Sequence, residues 1–279
     1  MNNIYYRTGN TDCGFNFVFM LCLTHLEYCI KNNIKIYLDV TNFGHSDTNQ
    51  NWWDLIFDQP FGLEKDQCLE FEQIYGPELI EKTSKGIING YPFSEIIDHI
   101  HDSRENFEHI CFHRNTIEKY CKVKPEVLKI VDDFLLPYSG KKFLGLHRRG
   151  RDHFTTGHGS GQNHLLSNEY LKTIIDQYID DYDYLYVNSD EYVYYNYLKE
   201  IYKSKIIFFN DKEEYGNEYS GLHHLPVNHT KLLKELVVEI LILSKCDKLL
   251  LMMSGISHMS LLFSKTNDYI LYDNHVTYH

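Results

Sequence analysis

Short apolar runs alternate with stretches of helical period through the second half of this chain. Lys142–His147, Tyr184–Asn188, Lys205–Phe209 and Lys248–Met252 have the length and the flanking turn residues of buried strands. Between them, Asn168–Asp180, Glu191–Tyr202 and Thr230–Ser244 carry apolar positions at helical spacing, and a further helix is expected after Ser257. This alternation predicts βαβ units, and so a doubly wound parallel sheet with right-handed crossovers. The first half opens the same way, with a strand at Ile4–Arg7, a loop holding Gly9 and Gly14, a helix to about Ile30 and a strand at Lys35–Val40. Beyond it the pattern weakens. Asn51–Phe57 reads as a short helix, Gly86–Tyr91 as a strand, and Ser94–Asp102, Thr116–Tyr120 and Glu126–Leu136 as helices, the last set between Pro125 and Pro137. Pro, Ser and Gly cluster at Pro137–Lys141 and place a domain boundary there, giving domains 1–139 and 140–279. The expected fold class is α/β, as two Rossmann-like domains facing across a cleft.

Composition narrows the functions this fold can serve. With 279 residues, 43% hydrophobic and 15% aromatic, the chain can build two packed cores. Its net charge of −12 argues against a nucleic-acid partner, whose usual footprint is a basic face. An anionic ligand would be repelled at long range and must be caught by a local cationic pocket. The seven cysteines are odd in number, scattered and without a C-x-x-C pair, which fits reduced thiols in a cytoplasmic protein. MNNIYYRTGN lacks the layout of a signal peptide, and Phe15–Ile30 is too short and too polar to span a membrane. The 23 tyrosines, among them Tyr192, Tyr194, Tyr195 and Tyr197, read as a compositional bias whose rings cover core edges.

Candidate chemistry gathers at the carboxyl ends of the second-half strands, where open α/β sheets bind ligands. FLGLHRRGRD (Phe143–Asp152) ends a strand in His147, Arg148 and Arg149, with Asp152 just beyond. Arginine suits a phosphate, because its planar fork donates two parallel hydrogen bonds and keeps its charge. The next strand ends in Asn188-Ser189-Asp190-Glu191, and the last in Ser254-Gly255 ahead of a helix. A helix N-terminus with a serine is a ready phosphate site, and a strand-end carboxylate could hold a ribose or a base edge. Taken singly, Ser189-Asp190 is also a plain helix cap and Ser254-Gly255 a plain turn.

In order, GLHRRGRD, YLYVNSDE, a Gly-Leu-His turn and ELVVEILILSKCDKLLLMMSGIS resemble the GDP-fucose-dependent fucosyltransferases. The α1,6-transferases are most similar, with the α1,2- and protein O-fucosyltransferases further off. DCGFNFVFMLCLTHLEYCIKNNIKIYLDVTNF and NWWDLIFDQPF resemble the family's glycine loop, first helix, second strand and Trp-containing segment. The resemblance spans most of residues 12–60 and 140–265. It implies a GT-B arrangement of two Rossmann-like domains, inversion at the sugar carbon, a GDP-fucose donor, a glycan acceptor and no metal. By the same resemblance Arg149 grips the donor diphosphate, with Arg148 as the alternative register, and Gly150 stands where the family has a second arginine. Asp152, Asp190 and Glu191 take the family's acidic positions. Glu239 takes that of a helix aspartate serving guanine or ribose, and Ser254 and Gly255 lie beside the phosphates. His147 and His223 fall at donor-site positions. Gly14 and Phe15 belong to the glycine loop, in which Asn16 replaces the second glycine.

The residues support the same chemistry. Displacing a nucleoside diphosphate from a sugar passes through an oxocarbenium-like state. It needs a counter-charge for the leaving group and a base for the acceptor hydroxyl. Arg149 answers the first. His153, with His158 and His164 nearby, titrates in the right range for the second, although surface histidines in a glycine-rich loop read equally well. Asp181-Tyr182-Asp183 spells D-x-D, but between a helix end and a strand start, so it reads as a solvated turn. No H-E-x-x-H or C-x-x-C supports a metal. The alternatives are a GDP-sugar or glycan-binding protein without turnover, and a transferase using another GDP-sugar such as GDP-mannose.

Overall fold

The computed structural model of the chain describes residues 3–7, 15–41, 50–70, 87–88, 91–92, 105–150, 167–210, 228–252 and 254–272. They divide into two compact units, 1–128 with 228–234, and 129–227 with 235–279. The sequence places the boundary at Pro137–Lys141. Contacts place it within the helix Pro125–Leu135, where Phe134 packs edge-on against Tyr186 at 6.2 Å and so joins its half of the helix to the second unit.

In the first unit, strand β1 (Asn3–Arg7) lies between β2 (Lys35–Asp39) and β3 (Leu69–Glu70), all parallel, with helix α1 (Phe15–Lys31) joining β1 to β2. The Trp-containing segment forms the short helix α2 (Trp52–Ile56) and closes the free edge of β2. Asn51 accepts from Val40 N at 2.8 Å and donates to Leu38 O at 2.8 Å, while Gln59 bonds both Leu38 N and Leu38 O at 2.9 Å. Two side-chain amides thus occupy the groups a neighbouring strand would have paired. Trp53 stacks on Phe19 at 6.0 Å, which fixes α2 over α1. The expected strand Gly86–Tyr91 is instead a two-stranded antiparallel pair, β4 (Ile87–Ile88) and β5 (Tyr91–Pro92). Helix α3 (Glu105–Tyr120) begins well before the expected Thr116 start. Helix α4 (Pro125–Leu135) lies where expected, and Ser94–Asp102 lies outside the described residues.

The second unit is a five-stranded parallel sheet of order β10-β9-β6-β7-β8. Its elements are β6 (Phe143–Arg148), α5 (Asn168–Asp176), β7 (Tyr184–Ser189), α6 (Tyr192–Tyr202), β8 (Ile206–Ile207), α7 (His229–Ser244, of which the residues to Lys234 group with the first unit), β9 (Lys248–Leu251), α8 (Gly255–Phe263) and β10 (Tyr269–Leu271). Leu144, Leu146, Leu185 and Val187 bury one face of the sheet against Leu171 and Ile175 of α5 and Leu198 of α6. The other face receives α7, which is buried nearly all round from Val237 to Ser244. Gly145 makes that contact possible, since a Cβ there would lie 2.7 Å from Leu243 Cδ1 and 2.9 Å from Cys246 Sγ. The sequence pattern missed β3 and β10, which are too short to show a period. Helix α8 starts at Gly255, ahead of the expected position after Ser257.

Among the described residues no helix is long and apolar enough to cross a membrane. Cys22, Cys29, Cys68, Cys121 and Cys246 are free, and burial pushes the Cys29 thiol up to about 12.

Candidate functional site

The strand order puts the switch point of the second sheet between β6 and β9. Connections leave the sheet in opposite directions there, and right-handed crossovers send them to opposite faces. The crevice this opens is flanked by the ends of β6 and β9, which carry His147–Gly150 and Ser254–Gly255.

The pleat separates neighbouring residues of β6 by face. His147 points toward α7, and Arg148 points the other way, beneath α5 and α6. Arg148 is 6% exposed. Its Nη1 donates to Asn168 Oδ1 at 2.5 Å, its Nε lies 3.1 Å from Glu191 Oε2, and its guanidinium sits 4.0 Å from the Tyr194 ring centre. The side chain is committed to internal partners. Arg149, the first residue past the strand, is less enclosed and lies 3.3 Å from Asp190 Oδ2. Its backbone N–H meets Met252 Sδ, which ties the ends of β6 and β9 together. Of the two arginines Arg149 is the more exposed, its side chain at 19% against 7% for Arg148.

Asp190 also accepts from Gly150 N at 2.7 Å. A Cβ at Gly150 would stand 2.1 Å from Glu191 Cγ and Cδ, so a side chain where the resembling family carries a second arginine would require Glu191 to move. The β7 end is held by Tyr195, whose hydroxyl bridges Ser189 N and Ser189 O at 2.8 Å each. Glu191, rather than Ser189-Asp190, caps α6, and Ser189 Oγ accepts from Glu191 N at 3.2 Å. Ser254 caps α8, its Oγ accepting from Ser257 N at 3.2 Å, so the remaining first-turn N–H groups of that helix face the crevice end of β9.

Three of the sequence-derived residues are buried among internal partners. Glu239 is 3% exposed on α7 and accepts from Asn188 Nδ2 at 3.1 Å. Phe15 is 7% exposed and packs on Phe19 and Trp52 in the core of the first unit, leaving only its backbone available to a ligand. His147 is 1% exposed; its Nδ1 lies 2.6 Å from Asn188 Oδ1, and its carbonyl accepts from Tyr272 Oη at 2.7 Å. Burial holds its ring neutral, with the pKa lowered to about 4. Gly14, Asp152, His153 and His223 lie outside the described residues, as do His158 and His164. Asp183 sits at the amino end of β7, away from the crevice, and accepts from Lys142 N at 2.9 Å.

Sequence reasoning missed Asn168, Tyr194, Tyr195 and Tyr272, and it named Asn188 at the strand end without giving it a role. The tyrosines read as surface covering are, in these positions, fully buried struts of the site. A signal was present for Tyr194 and Tyr195: on α6 they fall on the same face as Leu198, three and four residues on.

The second unit is thus a doubly wound parallel sheet with an arginine and a serine-capped helix flanking its switch point, and comparison with solved structures shows the fold of the chain to be similar to that of fucosyltransferases. The fucosyltransferase NodZ from Bradyrhizobium is similar over 99% of this chain and 97% of its own, with a TM-score of 0.59 and 12% identity. A NodZ α1,6-fucosyltransferase soaked with GDP-fucose aligns over 94% of this chain and 92% of its own, at a TM-score of 0.55 and 10% identity. POFUT1 in complex with GDP aligns over 97% and 98%, at 0.52 and 9%. At these identities the likeness concerns the fold. No family model matches the sequence, and no curated protein matches it.

Proposed function

We propose that this protein is an inverting, metal-independent glycosyltransferase of the GT-B kind that moves fucose from GDP-fucose to a glycan hydroxyl. In this reading residues 140–279 bind the donor and residues 1–139 serve the acceptor, across a cleft. The observation that carries it is Arg149 at the switch point of a sheet whose fold is shared with an enzyme soaked with GDP-fucose. Arg149 would exchange Asp190 for the donor diphosphate, which offers it more negative charge and a bidentate surface. The first turn of α8 would supply N–H donors to the same phosphates. Together they stabilise the charge that builds on the leaving GDP, the role a divalent cation plays elsewhere. His153 is the candidate base for the acceptor hydroxyl, with His158 and His164 as alternatives.

The test is a thermal-shift panel of nucleotides. A ligand that binds only the native state stabilises it by about 2.7 kcal/mol at a hundredfold excess over its Kd. GDP and GDP-fucose should raise the melting temperature, and UDP and UDP-sugars should do so much less. UDP-sugars outperforming GDP-sugars would exclude the assignment, and GDP-mannose outperforming GDP-fucose would shift it to another GDP-sugar. Affinity for GDP-fucose without release of GDP in the presence of acceptor glycans would mark a binding protein.

A further inference from the structure

His147, Asn188 and Glu239 form a buried chain from the crevice into the α7 face of the second sheet. His147 Nδ1 lies 2.6 Å from Asn188 Oδ1, and Asn188 Nδ2 donates to Glu239 Oε2 at 3.1 Å. The direction of this chain follows from its far end. Asn188 turns its NH₂ toward Glu239, where it donates to Oε2, and so presents its carbonyl oxygen to the imidazole. That oxygen in turn needs a donor, and His147 Nδ1 therefore carries the ring proton. Nε2 is left as a bare acceptor, enclosed and without a hydrogen-bond partner among the described residues. Buried polar atoms are nearly always partnered, so an orphaned acceptor at the carboxyl end of β6 calls for an explanation.

We propose that Asn188 and Glu239 are positioning residues, locking His147 in the Nδ1–H tautomer so that its Nε2 accepts a hydrogen bond from an N–H or O–H group of the bound nucleotide. The ligand half of this inference rests on the donor reading above; the tautomer does not. The charged groups acting on the ring are Asp190, which favours its protonation, and Arg149, which opposes it, with Glu239 behind Asn188. Burial outweighs them and keeps the ring neutral. Neutrality matters because an imidazolium has no acceptor to offer.

Nitrogen-15 NMR of histidine-labelled full-length protein tests this directly, with the His147 signals assigned by their loss in His147→Gln. The expected spectrum shows a protonated Nδ1 and an unprotonated Nε2 from about pH 5.5 to about pH 8, and Nε2 shifts on addition of GDP. A protonated Nε2 in the unliganded protein overturns the inference whatever binds. Binding of GDP without movement of Nε2 overturns the ligand contact. If GDP and GDP-fucose do not bind at all, the donor reading fails, while the tautomer still stands or falls on the unliganded spectrum. Asn188→Asp supplies the second readout, since a carboxylate against Nδ1 favours the imidazolium. GDP affinity should then fall about tenfold as the pH drops from about 7.5 to about 5.5, while wild type changes by less than about twofold. Equal pH profiles for the two proteins would remove the positioning role.

Discussion

Adjacent arginines at the end of β6 have opposite fates because a strand turns successive side chains to opposite faces. Arg149→Ala should fold normally and lower transfer by about two orders of magnitude, roughly 3 kcal/mol of transition-state stabilisation. Arg149→Lys should recover little of it, since a point charge cannot reproduce the fork. Arg148→Ala should instead lose about 2–4 kcal/mol of stability, because it strips Glu191, Asn168 and Tyr194 of their common partner. Parallel denaturant titrations and transfer assays separate the two, and normal stability with lost activity in Arg148→Ala would reverse the assignment. His147 carries a pH signature of its own. Its folded pKa of about 4 lies below the unfolded value near 6.5, so the unfolded chain binds the proton first as pH falls. Stability from this group is complete above about pH 6.5 and is lost toward pH 4, by on the order of 3 kcal/mol. In His147→Gln the slope of unfolding free energy across that window should be correspondingly smaller than in wild type, and equal slopes would place a charged imidazole in the native state.

At the scale of elements, the second sheet depends on how closely α7 approaches its central strand. Gly145 lets Leu243 and Cys246 rest on the β6 backbone, and a methyl group there has no space. Gly145→Ala should cost about 1–3 kcal/mol through overpacking, read as a lower denaturant midpoint with an unchanged m value. Its consequence for the site is direct, because the same helix carries Glu239 to Asn188. An isolated glycine within an apolar strand is a sequence signal of such close approach. The helices were largely legible for a related reason: a long amphipathic stretch repeats its period several times, as in α5, α6 and α7. Two- and three-residue strands such as β3 and β10 repeat nothing, and only their hydrogen-bonded neighbours define them.

For the molecule as a whole, the net charge of −12 repels an anionic ligand at long range. Under the proposed function, capture of GDP falls to Arg149 and the α8 N-terminus, so its affinity should depend on those groups rather than on added cations. Transfer measured in excess chelator should therefore match transfer in its absence. Complete loss of activity, with rescue by manganese or magnesium, would count against the proposed chemistry.

Sequence periodicity alone determined the α/β class, the order of the second-half elements and the carboxyl edge where His147, Arg149, Asp190 and Ser254 assemble. Each of these follows from local spacing: strand lengths, helical repeats and the turn residues between them. Tertiary structure decided what each of those residues touches. Which arginine is the more exposed depends on the pleat and on α5 and α6 arriving from elsewhere in the chain. That Glu239 reaches Asn188 depends on α7 packing across the sheet, a contact between residues 51 positions apart. That tyrosines read as a compositional bias hold up the site depends on the same packing, since Tyr272 reaches the His147 carbonyl across 125 positions. Partnerships over such distances leave no period in the sequence, because they are selected by the geometry of packed layers and not by the neighbours of either residue.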